Sequence, residues 1–137
     1  MPAVPKPSKK ASFREYMEYY LSRKKWSQNR LSICARLEQS RVNKIINGAI
    51  YNIDIDVLVC ICLALQLTVA ESIDLMSRVE RAFSPASDYH DAYIELIDIY
   101  AQKSPVCSEN SNMLNFADDF LMERNVPALP NIYKHTK

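Results

Sequence analysis

Polar side chains between residues 39 and 47 have the chemistry needed to contact nucleic acid. They are amides, a hydroxyl and two cations, namely Gln39, Ser40, Arg41, Asn43, Lys44 and Asn47. Amides and hydroxyls can form hydrogen bonds with base edges in a major groove, and cations can pair with the phosphates beside it. Val42, Ile45 and Ile46 lie between them at helical spacing. A helix here would therefore bury the apolar set and expose the polar one.

A tight turn between two short helices would position this polar face. The first helix begins near Gln28 and carries apolar Leu31 and Cys34, and the second begins near Gln39. Gly48 is the only glycine in the chain, and it follows the second helix where a helix end favours left-handed backbone. The stretch from Gln28 to Gly48 is therefore predicted to be a helix-turn-helix.

The same stretch resembles the helix-turn-helix of the phage-repressor family, also known as the Cro/λ-repressor or XRE family. Without a gap, Gln28 falls on the family's first glutamine and Leu31 on its buried leucine. Val42 and Ile45 fall on the two buried positions of the recognition helix, which ends at Asn47-Gly48. The resemblance implies an all-α fold that binds double-stranded DNA.

Four positions depart from the family's pattern. Arg36 stands at the turn glycine, Ser32 at a small alanine and Ala35 at a leucine. Gln66 stands at the glycine that follows the family's fourth helix. A non-glycine residue in left-handed backbone costs on the order of 1 kcal/mol, which a folded domain can tolerate.

Two capping boxes and one apolar run predict the remaining helices of this domain. Ser12-x-x-Glu15 opens the first helix, and Thr68-x-x-Glu71 opens a fifth helix that reaches about Phe83. Residues 54–67 are rich in valine and isoleucine, but their apolar spacing favours a helix over a strand. Five helices over residues 12–83 correspond to the size of a repressor DNA-binding domain.

The two ends of the chain have different characters. Residues 1–11 contain three prolines and three lysines, a composition typical of a flexible basic arm. Residues 84–137 contain two amphipathic helical patterns, one with a tyrosine stripe and one from about Asn112 to Arg124. Neither pattern can bury its apolar face alone. This C-terminal extension must therefore pack on the first domain, within itself or on a second subunit.

Charge divides the chain into a basic and an acidic part. Residues 1–50 contain 11 Lys and Arg against 3 Asp and Glu, a balance of +8. Residues 51–137 contain 6 against 13, a balance of −7. An anion-binding module joined to a partner-binding module would show this division, and two solvated surfaces with a chance asymmetry are the alternative.

No residue pattern indicates catalysis, a metal or a cofactor. His90 and His135 are far from any nucleophile pattern, and a single glycine excludes a phosphate-cradling loop. Asp118-Asp119 is interpreted as a solvated face of the last helix rather than as an acid–base pair. We therefore expect a binding protein rather than an enzyme.

The cysteines indicate the compartment. Cys34, Cys60 and Cys62 lie in apolar helical patterns, where they would pack as small hydrophobes, and no Cys-x-x-Cys pair suggests zinc. The sequence shows no signal peptide and no apolar run of about 18 residues. A reduced cytoplasm and no membrane partner are expected.

These patterns together predict a dimeric, sequence-specific transcriptional regulator of bacterial or phage origin, with repression implied by the resemblance. Gln39, Ser40 and Asn43 are the predicted base-reading residues, and Gln39 suits a bidentate contact with adenine. The predicted phosphate-contacting residues are Gln28, Arg41, Lys44, Asn47, Tyr51 and Asn52. Two copies, joined through their C-terminal helices, would read half-sites about one helical turn apart.

The alternative function is that of a protein-interaction module that keeps the helix-turn-helix as a scaffold. The acidic extension would then bind a protein partner, as in anti-repressors, antitoxins or phage inhibitors of host systems. The surface around Gln39 separates the two hypotheses. An exposed polar face favours DNA, and a face covered by the C-terminal helices favours a protein partner.

Overall fold

The computed structural model describes residues 5–49, 52–102 and 112–133. Within these ranges the chain forms helices and no β-strand, which confirms the all-α prediction. The helices are α1 (Phe13–Lys24), α2 (Gln28–Ala35), α3 (Gln39–Ile46), α4 (Ile55–Ala64), α5 (Val69–Ser77), α6 (Asp88–Ala101) and α7 (Met113–Glu123). Five helices are thus followed by the two helices predicted for the extension.

Both predicted capping boxes are present. The Ser12 hydroxyl accepts from the Glu15 N–H at 3.2 Å, and the Thr68 hydroxyl accepts from the Glu71 N–H at 3.1 Å. Each glutamate carboxylate in turn accepts from the backbone N–H of its capping residue. Two orphan donors are therefore satisfied at the start of both helices.

The predicted end of the fifth helix is wrong. The chain leaves the helix at Ser77 rather than near Phe83, because Glu80 takes left-handed backbone with φ 58°. The Arg81 N–H then reaches back to the Met76 carbonyl at 3.0 Å. A left-handed residue with such a backward bond is a common way to end a helix, and the apolar spacing beyond it falls in a turn.

Helix α4 forms the centre of the core. Its residues from Val57 to Ala64 are all buried, and it packs against α2, α6 and α7. A helix that is apolar on every side is stable only inside a protein. The helix predicted for residues 54–67 is confirmed over Ile55–Ala64, and its apolar density reflects burial rather than strand formation.

The cysteines fall into two groups. Cys60 and Cys62 are free and buried in α4, as predicted, and burial raises the pKa of the Cys62 thiol to about 12. Cys34 in α2 is also buried but takes part in a disulfide. Its interpretation as a small hydrophobe alone is therefore wrong, because spacing along the chain does not reveal a disulfide.

The extension packs on the domain that precedes it. Helix α6 contacts α4 and α5, and α7 contacts α4 and α2. The Tyr100 hydroxyl of α6 donates to the Met113 carbonyl at the start of α7, at 2.6 Å. Most apolar side chains of both helices are thus buried within the chain. None of the described helices is long and apolar enough to span a membrane.

The segment before α1 is held against the domain from Pro7 onward. The Tyr16 hydroxyl lies 3.1 Å from the carbonyls of both Pro7 and Ser8. The Arg78 guanidinium donates to the carbonyls of Lys9 and Ala11 at 2.6 and 2.9 Å. These backbone contacts hold residues 7–11 between α1 and the end of α5.

A charged pair joins the end of α1 to the start of α5. The Arg23 guanidinium donates both Nη atoms to the Glu71 carboxylate, at 2.7 and 3.2 Å. Burial raises the pKa of Glu71, but the bonds and charge of Arg23, together with the bonds from Thr68, outweigh it and lower the pKa overall. This pairing gives Arg23 a structural role between helices.

Replacing Glu71 with glutamine should reduce the dependence of stability on pH. The pKa of Glu71 in the folded protein lies below its ordinary value of 4.5. Its charged form therefore stabilises the fold above that value, and the stabilisation is lost as the pH falls through the folded pKa. Urea titrations at pH 7 and about pH 3 measure the free energy of unfolding. Between the two pH values the wild type should lose more of it than Glu71→Gln does, by about 1 kcal/mol or less for this partly exposed pair.

Glu18→Gln is the matched control, because Glu18 pairs with Arg14 at 3.0 Å on the exposed side of α1. We expect its pH-dependent loss to resemble that of the wild type. Equal losses in the wild type and Glu71→Gln would contradict a stabilising role for the Arg23 pair.

Candidate nucleic-acid interface

Helix α3 separates its apolar and polar side chains as the sequence predicts. Val42, Ile45 and Ile46 are at most 1% exposed and lie in the core. The exposed residues of α3 and its C-cap are Gln39, Ser40, Lys44 and Asn47. The described part of the extension, residues 84–102 and 112–133, therefore leaves this polar face uncovered.

The start of α3 brings an acidic residue to the same face. Glu38 is the exposed N-cap of α3, and its side chain makes no capping bond. The first-turn N–H groups are thus without a side-chain cap, a state in which they can meet an anion. The Glu38 carboxylate opposes phosphate at this end but can accept from a cytosine amino group. Sequence reasoning passed over this residue.

Arg41 and Asn43 are less accessible than their neighbours. Both are partly buried. The Asn43 amide oxygen is fully buried and accepts no hydrogen bond from the described residues. A side-chain amide reads adenine with its oxygen and its nitrogen together. Asn43 would therefore need to rotate before it could read a base in that way.

Gln28 lies at the start of α2. It is the first residue of that helix and is partly buried. The preceding Ser27 caps the helix by accepting from the Arg30 N–H at 3.1 Å. The position of Gln28 is thus fixed by the cap, at the end of α2 where the helix dipole favours anions.

The end of α3 lines an open groove of about 510 Å³. Asn47 and Asn52 line it from one side, and Ser12 and Arg14 line it from the start of α1. Asn52 is exposed and has left-handed backbone with φ 55°. Arg14, whose side chain is 60% exposed, is a cation that sequence reasoning did not connect with this face. Only the tertiary packing of α1 beside α3 reveals it.

Tyr51, the remaining predicted phosphate contact, lies outside the described residues. Gly48 precedes it with φ 77°, the left-handed backbone expected of the glycine that follows the helix. A Cβ at this position would meet no atom within 4 Å. Glycine is therefore favoured here by backbone conformation rather than by space.

The turn between α2 and α3 is built around Arg36. Its backbone is left-handed, with φ 57° and ψ 40°, as expected at the family's turn glycine. Its side chain is only 1% exposed. Its two Nη atoms donate to the Asp118 carboxylate at 2.7 and 3.0 Å, and Nη1 also donates to the Asn115 amide oxygen at 2.9 Å.

The interpretation of Asp118-Asp119 as a solvated face is therefore wrong for Asp118. Asp119 is exposed, but the Asp118 side chain is only 16% exposed and lies against the turn. The Leu129 N–H also donates to Asp118, at 2.9 Å. A partner 82 residues away leaves no signal in the local spacing of charges, which is why the pattern was misread.

Two further contacts connect the extension to the helix-turn-helix. The Asn112 amide donates to the Ile33 carbonyl near the end of α2, at 3.0 Å. The Ile132 N–H donates to the Arg36 carbonyl at 3.1 Å. The extension thus holds the back of the turn while α3 faces away from it.

Gln66 repeats this arrangement at the end of α4. Its backbone is left-handed, with φ 53°, where the family has a glycine. Its side-chain nitrogen donates to the Tyr100 carbonyl of α6 at 3.0 Å, and its oxygen accepts from Lys24 of α1. Both glycine replacements therefore connect the first domain to the extension.

Comparison with known proteins places the interface within a recognised domain. Residues 17–77 match the family model described as a Cro/C1-type HTH DNA-binding domain. The match runs from within α1 to the end of α5 and includes α2, the turn and α3. No curated protein and no solved structure matches the chain. In the described residues, no group of three or more His, Cys, Asp or Glu is placed to hold a metal ion.

Proposed function

We propose that this chain, whose residues 17–77 match the model of a Cro/C1-type helix-turn-helix DNA-binding domain, is a sequence-specific transcriptional regulator that reads the major groove with α3. The observation that carries the proposal is the exposed polar face of α3, which the extension leaves uncovered. By the phage-repressor resemblance, we further propose that it is a repressor of bacterial or phage origin.

The roles proposed within the interface follow from chemistry and position. Gln39, Ser40 and, after rotation, Asn43 would contact base edges. The proposed phosphate contacts are Gln28, Arg41, Lys44, Asn47, Tyr51 and Asn52. The phosphate contacts would fix the register of α3 on the duplex, and the base contacts would carry the sequence preference.

Charge supports one orientation of the protein on DNA. Four acidic residues repeat three and four apart on the exposed side of α6: Asp88, Asp91, Glu95 and Asp98. The excess of Lys and Arg lies instead in the half of the chain that contains α1, α2 and α3. Phosphates would therefore repel the α6 side and attract the α3 side during approach.

We also propose a homodimer joined through the extension. Phe116 and Met122 of α7 are 66% and 59% exposed, although α7 packs on the domain with its other side. Aromatic residues and methionine are enriched in interfaces between subunits. Two chains related by a two-fold axis would place two α3 helices on half-sites about one helical turn apart.

The same exposed side chains would serve the alternative, a module that binds a protein through its extension. Of the two functions, the uncovered face of α3 favours DNA binding. A helix-turn-helix kept only as a scaffold would not require these polar residues to stay exposed. A cytoplasmic location follows from the proposed DNA partner. Complete burial of Cys34 would shield its sulfur from thiols there.

Fluorescence anisotropy with purified protein tests the proposal directly. Labelled DNA from beside its own gene and a random oligonucleotide pool are titrated at two salt concentrations, and sedimentation gives the stoichiometry. We expect tighter binding to the neighbouring DNA, a steep loss with salt and two chains per site. Absence of binding at low salt would overturn the proposed function, and one chain per site would overturn the dimer.

Replacing Gln39 with alanine should relax the sequence preference at one base pair. A lost bidentate contact costs about 1–3 kcal/mol on the preferred DNA. Binding to the random pool should change little, because that binding depends on phosphates. A panel of single-base variants of the site measures the effect. An equal loss on every sequence would exclude Gln39 from base reading.

Replacing Lys44 with alanine should weaken binding to all sequences and flatten the salt dependence by about one unit of slope. Arg124→Ala is the charge-matched control, because Arg124 lies on the extension and pairs with Glu95 at 3.4 Å. The control should keep the wild-type slope. An unchanged slope for Lys44→Ala would remove it from the phosphate contacts.

A further inference from the structure

We propose that Arg36 and Asp118 are positioning residues for DNA recognition, so that the extension sets how α3 is presented to the duplex. The inference rests on the proposed function, and it assigns to the C-terminal helices a role in binding besides the proposed dimer contact. It is carried by the buried contacts between the turn and α7.

The Arg36–Asp118 pair has a bidentate geometry that fixes both side chains. Two parallel N–H···O bonds at 2.7 and 3.0 Å join the planar guanidinium to the planar carboxylate. Such a fork fixes the relative orientation of both groups as well as their distance. The third bond, from Nη1 to the Asn115 amide oxygen at 2.9 Å, fixes the guanidinium from a second residue of α7.

The residue that is clamped controls the angle between α2 and α3. Arg36 is the C-cap of α2, and only Leu37 and Glu38 separate it from α3. The extension holds its side chain through Asp118 and its backbone carbonyl through the Ile132 N–H. A residue held at both its side chain and its backbone carbonyl has little freedom to rotate. The direction of α3 therefore depends on α7.

The choice of residue argues for positioning over stability alone. Glycine would adopt φ 57° without strain, whereas arginine adds strain and must be desolvated. Well-packed apolar replacements of similar volume are often as stable as a buried ion pair or more stable, so such pairs are weak evidence for stability. What arginine adds, and glycine lacks, is a directional connection between the turn and the extension.

The test removes both charges together. In the double variant R36G/D118A, glycine suits the turn and no buried charge is left unpaired, but the lost side-chain volume and the unpaired Leu129 N–H should lower stability. Affinity is therefore measured under conditions where the variant is folded, and for the preferred DNA it should fall by about 10-fold, a typical size for coupling between distant sites. Wild-type affinity in the folded double variant would overturn the proposal.

The single variant Asp118→Asn supplies the contrast. It leaves Arg36 charged and buried without its counter-charge, so both stability and affinity should fall. Arg124→Ala, on the same helix but away from the turn, should change neither. If Asp118→Asn lowers stability and leaves the affinity of the folded protein unchanged, α7 does not position α3.

A measurement without DNA separates this inference from the proposed function. Amide hydrogen exchange of residues 39–46 in the free double variant should be faster than in the wild type, relative to exchange in α5. Unchanged exchange would overturn positioning even if the wild type binds DNA. Faster exchange would support positioning even if the wild type binds none, in which case only the proposed function fails.

Discussion

The Arg36 guanidinium is a permanent positive charge in a place that water hardly reaches. Such a charge is tolerable only when a counter-charge and hydrogen bonds meet it there. Asp118 and Asn115 provide them from α7, which in turn requires α7 to lie against the end of α2. Arg36 therefore adds a polar constraint to the apolar packing of α7 on α4.

Two departures from the family pattern have the same physical consequence. Arg36 and Gln66 both take left-handed backbone and accept the strain that glycine would avoid. In each case the side chain that glycine lacks reaches the extension, at Asp118 in α7 or at the Tyr100 carbonyl in α6. At both positions a strained backbone thus accompanies a side-chain connection to the helices that follow the domain.

The sequence predicted what is encoded locally. The capping boxes, the helix-turn-helix and the buried α4 all depend on residues within one or two turns of each other, and all three predictions are confirmed. Long-range features were missed, namely the Arg36–Asp118 pair, the disulfide of Cys34 and the approach of Arg14 to α3. Residues far apart in sequence are brought together by packing, so composition and spacing carry no signal for them. The roles of Gln39 and the phosphate contacts stay predictions, because only DNA itself can reveal them.

The extension and the polar face of α3 lie on different sides of the turn. Because α7 contacts the rear of the turn, the outer face of α3 stays open, and the acidic side of α6 faces solvent. A duplex would then meet polar and basic groups at α3 and like charge at α6. The contacts that brace α3 also keep the extension away from the DNA it would otherwise repel. A partner that displaced α7 would remove the contacts that hold the Arg36 side chain in the turn before α3.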